Sequence, residues 1–176
     1  MSVEPRSAAP AASNESLADA LVGAWRLEST EQHLADGTVR PSPLYGPSGF
    51  GSLIYSSSGR MCVVLADPSR EPWASDDEPT PTDLQAIHDH FVAYSGRYEV
   101  NEAEGLVVHH IDMHLTPNYI GDVAARRVSL EGSQLALRLL PDELPAGTLE
   151  YVFKWSRVES AEQHPLSSNV GRQDVP

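Results

Sequence analysis

The chain has 176 residues, 40% hydrophobic and 21% charged, the size and balance of one globular domain with enough length to bury a core. Its 25 acids against 12 bases leave a formal charge of −13, with Lys154 the single lysine. Such a surface repels phosphate backbones and anionic bilayers, which argues against nucleic acid or membrane as partners. The single cysteine, Cys62, leaves no internal disulfide and no cysteine-rich zinc site. The N-terminal run has no signal-peptide apolar core, and no stretch approaches the ~18 apolar residues of a membrane helix, so a cytoplasmic location is expected.

Residues 1–16 and 159–176 are rich in Ser, Ala, Pro and charge without sustained periodicity and are expected to be disordered tails around a domain spanning 17–158. Within it, short alternating segments recur between turn signals. LVGAWRLESTEQHL runs to a turn at Asp36-Gly37 and a short piece near Val39; FGSLIYS and RMCVVLA flank SSSG. SGRYEV, a turn around Asn101 to Gly105 and LVVHHIDMHL follow, then the loop TPNYIGD, VAARRVSL, the turn EGS, QLALRLL, a Pro-rich loop and TLEYVFKWSRV. The expected class is mainly β, an antiparallel barrel or sandwich, with one short helix placed to close an end of a barrel.

That helix falls in DPSREPWASDDEPTPTDLQAIHDHFVAY, where the period changes. Thr80 or Thr82 can cap it, Pro81 suits its first turn, and Thr82 with Gln85 matches a capping box. Leu84, Ile87, Phe91 and Tyr94 recur at steps of three, four and three and build an apolar face. The acid run Asp76-Asp77-Glu78 reads as a solvated loop. Trp73 is placed either over the cavity mouth or as a pin for the loop. A barrel of about eight strands has room for side chains or one small ligand.

The segments LVGAWRLES, GSLIYSSSGRMCVVL, FVAYSGRYEV, HHIDMHLTPNYIG and RRVSLEGSQLALRL, in that order, resemble the bacterial and fungal lipocalin-like domain family. Gly23-Ala24-Trp25 is similar to the Gly-x-Trp start of the wider lipocalin and fatty-acid-binding superfamily. The resemblance implies a Trp across the barrel floor beneath a basic residue of the last strand, here Lys154 or Arg157. It also implies a closed antiparallel lipocalin-like β-barrel of about 8–9 strands, with the short helix capping an end and a central cavity, which related barrels use to carry hydrophobic ligands or to cyclise and isomerise natural products without a cofactor.

The stretch HHIDMHL, His109 to Leu115, carries the densest chemistry. On a strand His110, Asp112 and His114 share one face, opposite His109, Ile111, Met113 and Leu115. At the usual rise His110 and His114 stand roughly 13 Å apart, too far for one ion held at about 2 Å, so no metal is expected. The apolar company of His109 turns it inward, where it is either a satisfied core histidine or a group for acid-base work.

Arg126 shares a face with Val128 and Leu130. In a register that sets this face against Ile111 and Met113 it enters the cavity near His109; a slip by one residue places Arg127 there instead. Inside, it binds a ligand oxygen or pairs with a buried acid such as Glu28 or Glu31. Tyr98, sharing a face with Val100, completes the expected catalytic set with His109 and Arg126. Tyr55, Trp73, Phe91, Tyr94, Met113 and Tyr151 are the expected ligand-binding residues. Cys62, alternating with Val64, reads as a small buried hydrophobe. His88 and His90 sit on different helix faces and chelate poorly.

Two functions fit. One is a cofactor-free cyclase or isomerase acting on a hydrophobic natural-product intermediate, with His, Arg and Tyr polarising a carbonyl or moving a proton; the balance of residues leans this way. The other is a carrier for a hydrophobic small molecule. No cofactor is called for. Oligomeric state stays open, a homodimer included.

Overall fold

Trp25 and Leu27 alternate with Arg26 and Glu28, the period of a strand with one dry and one wet face, and the same alternation recurs to the C-terminal end of the domain. The computed structural model describes residues 16–45, 50–73 and 78–159; the tails expected before and after them, and Asp76 and Asp77, lie outside the described residues. Nine strands run in chain order as β1 (Gly23–Leu34), β2 (Val39–Pro41), β3 (Phe50–Tyr55), β4 (Arg60–Ala66), β5 (Phe91–Asn101), β6 (Leu106–His114), β7 (Val123–Glu131), β8 (Gln134–Leu139) and β9 (Thr148–Arg157). Helix α1 (Leu17–Leu21) precedes β1, and α2 (Pro81–His90) joins β4 to β5.

All pairings are antiparallel, and β1 pairs with β9 as well as β3, which closes eight strands into a barrel and leaves β2 outside on the second half of β1. Closure removes the open edges that an eight-stranded sheet would otherwise expose.

One end of the barrel is sealed. Trp25 is fully buried there, donates from its indole nitrogen to the Leu21 carbonyl at 3.0 Å, and lies under the Arg157 guanidinium, 4.1 Å from the ring. Arg157 donates to the carbonyls of Val22 at 2.8 Å and of Ala20, so it both stacks on the floor and ties down the end of α1. Of the two basic residues expected in that place, Lys154 faces outward to Glu31 at 2.6 Å. Gly23 has φ +141, and a Cβ there would stand 2.6 Å from Arg157 Nη1; the glycine makes room for the arginine that covers the tryptophan.

The opposite end carries α2, capped by Thr80 with Asp83 completing the capping box. The expected Thr82–Gln85 box is thus displaced by one that starts two residues earlier. The helix stops at His90, so Phe91 and Tyr94 belong to β5, not to a helical face. Leu84 is 52% exposed and no residue of α2 is buried. The helix is therefore part of a rim rather than a plug, its sequence carrying too little apolar surface to displace the barrel wall.

Strand β6 departs most from simple alternation. Ser95 pairs with Met113 and Gly96 with Ile111, leaving Asp112 as an extra residue in a bulge. One inserted residue reverses the faces beyond it. His109 and Ile111 point inward as expected, but Met113 is 62% and Leu115 42% exposed, while His114 opposes the inward Tyr94. Gly96 permits this: a Cβ on it would fall 1.8 Å from the His110 carbonyl oxygen and 3.0 Å from the Asp112 nitrogen. Cys62 is exposed, not buried; the inward residues of β4 are Met61, Val63 and Leu65, the other parity of an apolar run in which both faces read alike.

Candidate functional site

Between the sealed floor and the α2 end the barrel encloses a cavity of about 470 Å³, within the ~300–1,000 Å³ range of small-molecule sites. Its wall is mostly apolar, with Leu53, Val63, Leu65, Ile111, Leu137 and Phe153 among the contributors, and its rim includes His88 of α2, Tyr119, Asp122 and Glu143. Polar groups enter the wall from Tyr45, Tyr94, His109, His114 and Arg126.

His109 is 1% exposed and spans two phenols: its Nε2 lies 2.7 Å from the Tyr55 hydroxyl and its Nδ1 3.0 Å from that of Tyr94. Burial, reinforced by the charge of Arg126 and by His110, pulls its pKa down to about 3, so the ring is neutral at ordinary pH and carries one proton. Burial pushes both phenols up, so they keep theirs. The direction of the chain follows. Tyr55 is 1% exposed and His109 is its one hydrogen-bond partner among the described residues. A buried hydroxyl is costly to leave without an acceptor, so Tyr55 donates to Nε2. Nδ1–H then donates to the Tyr94 oxygen, and the Tyr94 O–H is left to point at an acceptor in the cavity.

Arg126 takes the inward register: Val107 pairs with Arg126 and His109 with Ala124, so Arg126 sits diagonally from His109 on the same face, with Val128 and Leu130 packed on the core below. Its side chain is 16% exposed. Nη1 donates to the Ala125 carbonyl at 2.7 Å and to Glu143 at 2.5 Å. The acid partner is Glu143, from the turn Pro141–Glu143 after β8. Glu28 instead bonds Arg26 and Ser156, and Glu31 bonds Lys154.

The remaining expected residues divide by depth. Tyr94 lines the cavity, and so does Phe91, at the mouth under the Arg70 guanidinium 5.0 Å away. Tyr55 lies behind His109 and off the wall. Tyr98 faces inward but nearer the floor, its ring tilted against Tyr55 at 4.7 Å and its hydroxyl donating to the Ser56 carbonyl at 3.0 Å; it is not among the lining residues. Tyr151 is 3% exposed and donates to Ser42, away from the lining. Trp73 is half-buried outside the lining. Met113 faces the outer surface beside Cys62 and Ala93, so it cannot touch a ligand in the barrel.

Among the lining residues that the sequence reading did not place there, three carry polar groups close to the site. Tyr45 comes from a loop without periodicity, yet is 6% exposed, and burial pushes its hydroxyl up. His114 enters through the bulge and stacks on Tyr94 at 5.8 Å and 15°. Glu143 arrives from the Pro-rich loop. On the outer face Asp112 pairs with Arg60 at 2.6 Å and His110 lies 3.4 Å from Glu99.

The chain is similar to several solved structures, two of which follow. A lipocalin-like protein from Bacteroides uniformis ATCC 8492 is 13% identical, with a TM-score of 0.40 over 78% of this chain and 98% of that one. An uncharacterized protein from Bacteroides eggerthii DSM 20697 is also 13% identical, with a TM-score of 0.39 over 76% and 98%. No curated protein sequence matches the chain. The lipocalin-like domain model matches residues 22–157, from the residue before Gly-x-Trp to the arginine that covers it, and the chain belongs to that lipocalin-like family.

Proposed function

We propose that the protein binds an apolar small molecule in the barrel, with one acceptor oxygen of that molecule held by the Tyr94 hydroxyl and the Arg126 guanidinium. The binding of small hydrophobic ligands is general to the family fold. The observation that carries the finer reading is the Tyr55–His109–Tyr94 chain: two buried groups are used to aim one hydroxyl proton into an otherwise apolar space. A ketone, ester or lactone oxygen is the matching acceptor.

A second reading is the cofactor-free isomerase or cyclase. It is supported by the convergence of two donors, which would stabilise charge developing on a carbonyl oxygen. The low proton affinity of His109 weighs against its being a general base, since a base works best with a pKa near the operating pH. Catalysis in this barrel would therefore run by polarisation and by folding a flexible substrate.

The test uses a solvatochromic ketone, acetyl-dimethylaminonaphthalene. Emission shifted to the blue at one probe per chain, and lost in Leu137→Trp with the circular dichroism spectrum retained, is the expected result; equal binding to the filled variant would refute cavity binding. Tyr94→Phe and Arg126→Met each weaken the probe about tenfold, the loss of roughly one good hydrogen bond in a dry site.

A further inference from the structure

We infer that the cavity selects uncharged ligands and rejects carboxylic acids, with Glu143 as the charge filter; the inference deepens the binding reading above and rests on it. An arginine in an apolar wall ordinarily serves as an anchor for an anion, because it cannot shed its proton and its fork fits a carboxylate. Here the place of that anion is taken. Glu143 reaches Arg126 Nη1 at 2.5 Å from the turn at the mouth, and the pair is sheltered, the side chains 16% and 29% exposed. The guanidinium keeps N–H groups on Nε and Nη2 with no protein acceptor among the described residues, so it still donates to a neutral oxygen.

Among the described residues, no Lys or Arg besides Arg126 lines the cavity. Asp122 stands in the lining as a second carboxylate. His88, the rim histidine, lies 2.9 Å from the Asp89 carboxylate. Arg70 stacks over Phe91 and is absent from the lining. His109 is neutral. A ligand carboxylate would thus meet one guanidinium already paired and two carboxylates, inside a molecule of formal charge −13. In a low-dielectric site such repulsion acts at close range and is weakly screened by salt. A ketone, ester or alcohol meets none of it.

The probes are the same naphthalene ketone and the carboxylate of the same ring system, dimethylaminonaphthoate, titrated near neutral pH into wild type, Glu143→Gln and Asp142→Asn. Asp142→Asn removes a charge from the same turn without touching Arg126. The wild type and Asp142→Asn should each prefer the ketone by about tenfold or more, and in Glu143→Gln that preference should collapse through tighter binding of the acid, the ketone staying within about threefold. Acid bound by the wild type as tightly as ketone would overturn the filter, as would equal effects of the two substitutions. If neither probe binds any of the three proteins, cavity binding itself fails and the filter falls with it.

Discussion

His109 makes the stability of the protein depend on pH between its ordinary and its folded pKa. In the folded chain its pKa is about 3 against an ordinary 6.5, so between those values the unfolded chain binds a proton that the folded chain refuses. Stability therefore rises with pH across the window: the contribution is complete above about 6.5 and is lost progressively as the pH falls toward 3. Integrated over the shift, folding loses about 2 kcal/mol by pH ~5 and roughly 4–5 kcal/mol by pH ~3. Carboxylates held down by hydrogen bonds, such as Glu31 by Lys154 and Asp67 by Ser69, act in the same direction but mainly below their ordinary values of 4.5 and 3.8. Urea unfolding of wild type and His109→Gln at pH ~7 and ~5 isolates the histidine, since glutamine does not titrate and the carboxylates and other histidines are common to both. The variant should lose about 2 kcal/mol less than wild type over that interval. Parallel losses in the two proteins would refute the dry, neutral imidazole and, with it, the direction assigned to the Tyr55–His109–Tyr94 chain.

Gly96→Ala should destabilise by more than about 3 kcal/mol in urea unfolding, because the added Cβ meets backbone atoms at 1.8 Å that cannot move without undoing the bulge; a change below about 0.5 kcal/mol would show that the bulge is dispensable. Met113→Ser, at a side chain 62% exposed, should stay within about 0.5 kcal/mol, whereas Ile111→Ala, at a side chain 8% exposed, should cost about 2–4 kcal/mol. A comparable cost at both positions would restore the unbulged strand, in which Ile111 and Met113 share the inner face.

The strand segments were legible because each depends on a local pattern: alternation in Trp25–Leu27 or Arg126–Leu130, and glycine at the turns Gly37, Gly59 and Gly132, all with positive φ; closure, a pairing of β1 with β9, was expected only through the family resemblance. A period of two assigns a face. It does not assign a depth, and depth decided the site. Tyr98 and Tyr151 face inward as their parity requires, yet they pack around the cavity without lining it, because their level along the barrel follows from the stagger between strands. Glu143 and Tyr45 had no period at all, being brought to the lining by loops. Cys62 sat in a run, Met61 to Ala66, in which both parities are apolar, so burial had to be settled by the neighbouring strands. The one local sign of the bulge was Gly96 in the interior of β5, a residue that in a strand marks a bend or a close backbone approach.

The bulge is also what makes the site. In an unbroken strand His109 and His114, five residues apart, lie on opposite faces, and an inward His109 leaves His114 in water. The extra residue at Asp112 brings both imidazoles to the inner face, one on each side of Tyr94: His109 at hydrogen-bonding distance from its hydroxyl, His114 stacked on its ring. The Tyr94 ring is thereby fixed in position by one histidine and its hydroxyl oriented by the other, which is the support that a single hydrogen-bond donor needs if it is to discriminate among ligands. The same insertion sends Met113 outward and so takes a flexible side chain out of the volume that the ligand would occupy. A regular pairing without the bulge would leave the composition intact, and would turn His114 to the outer face and remove its support from Tyr94 in the proposed site.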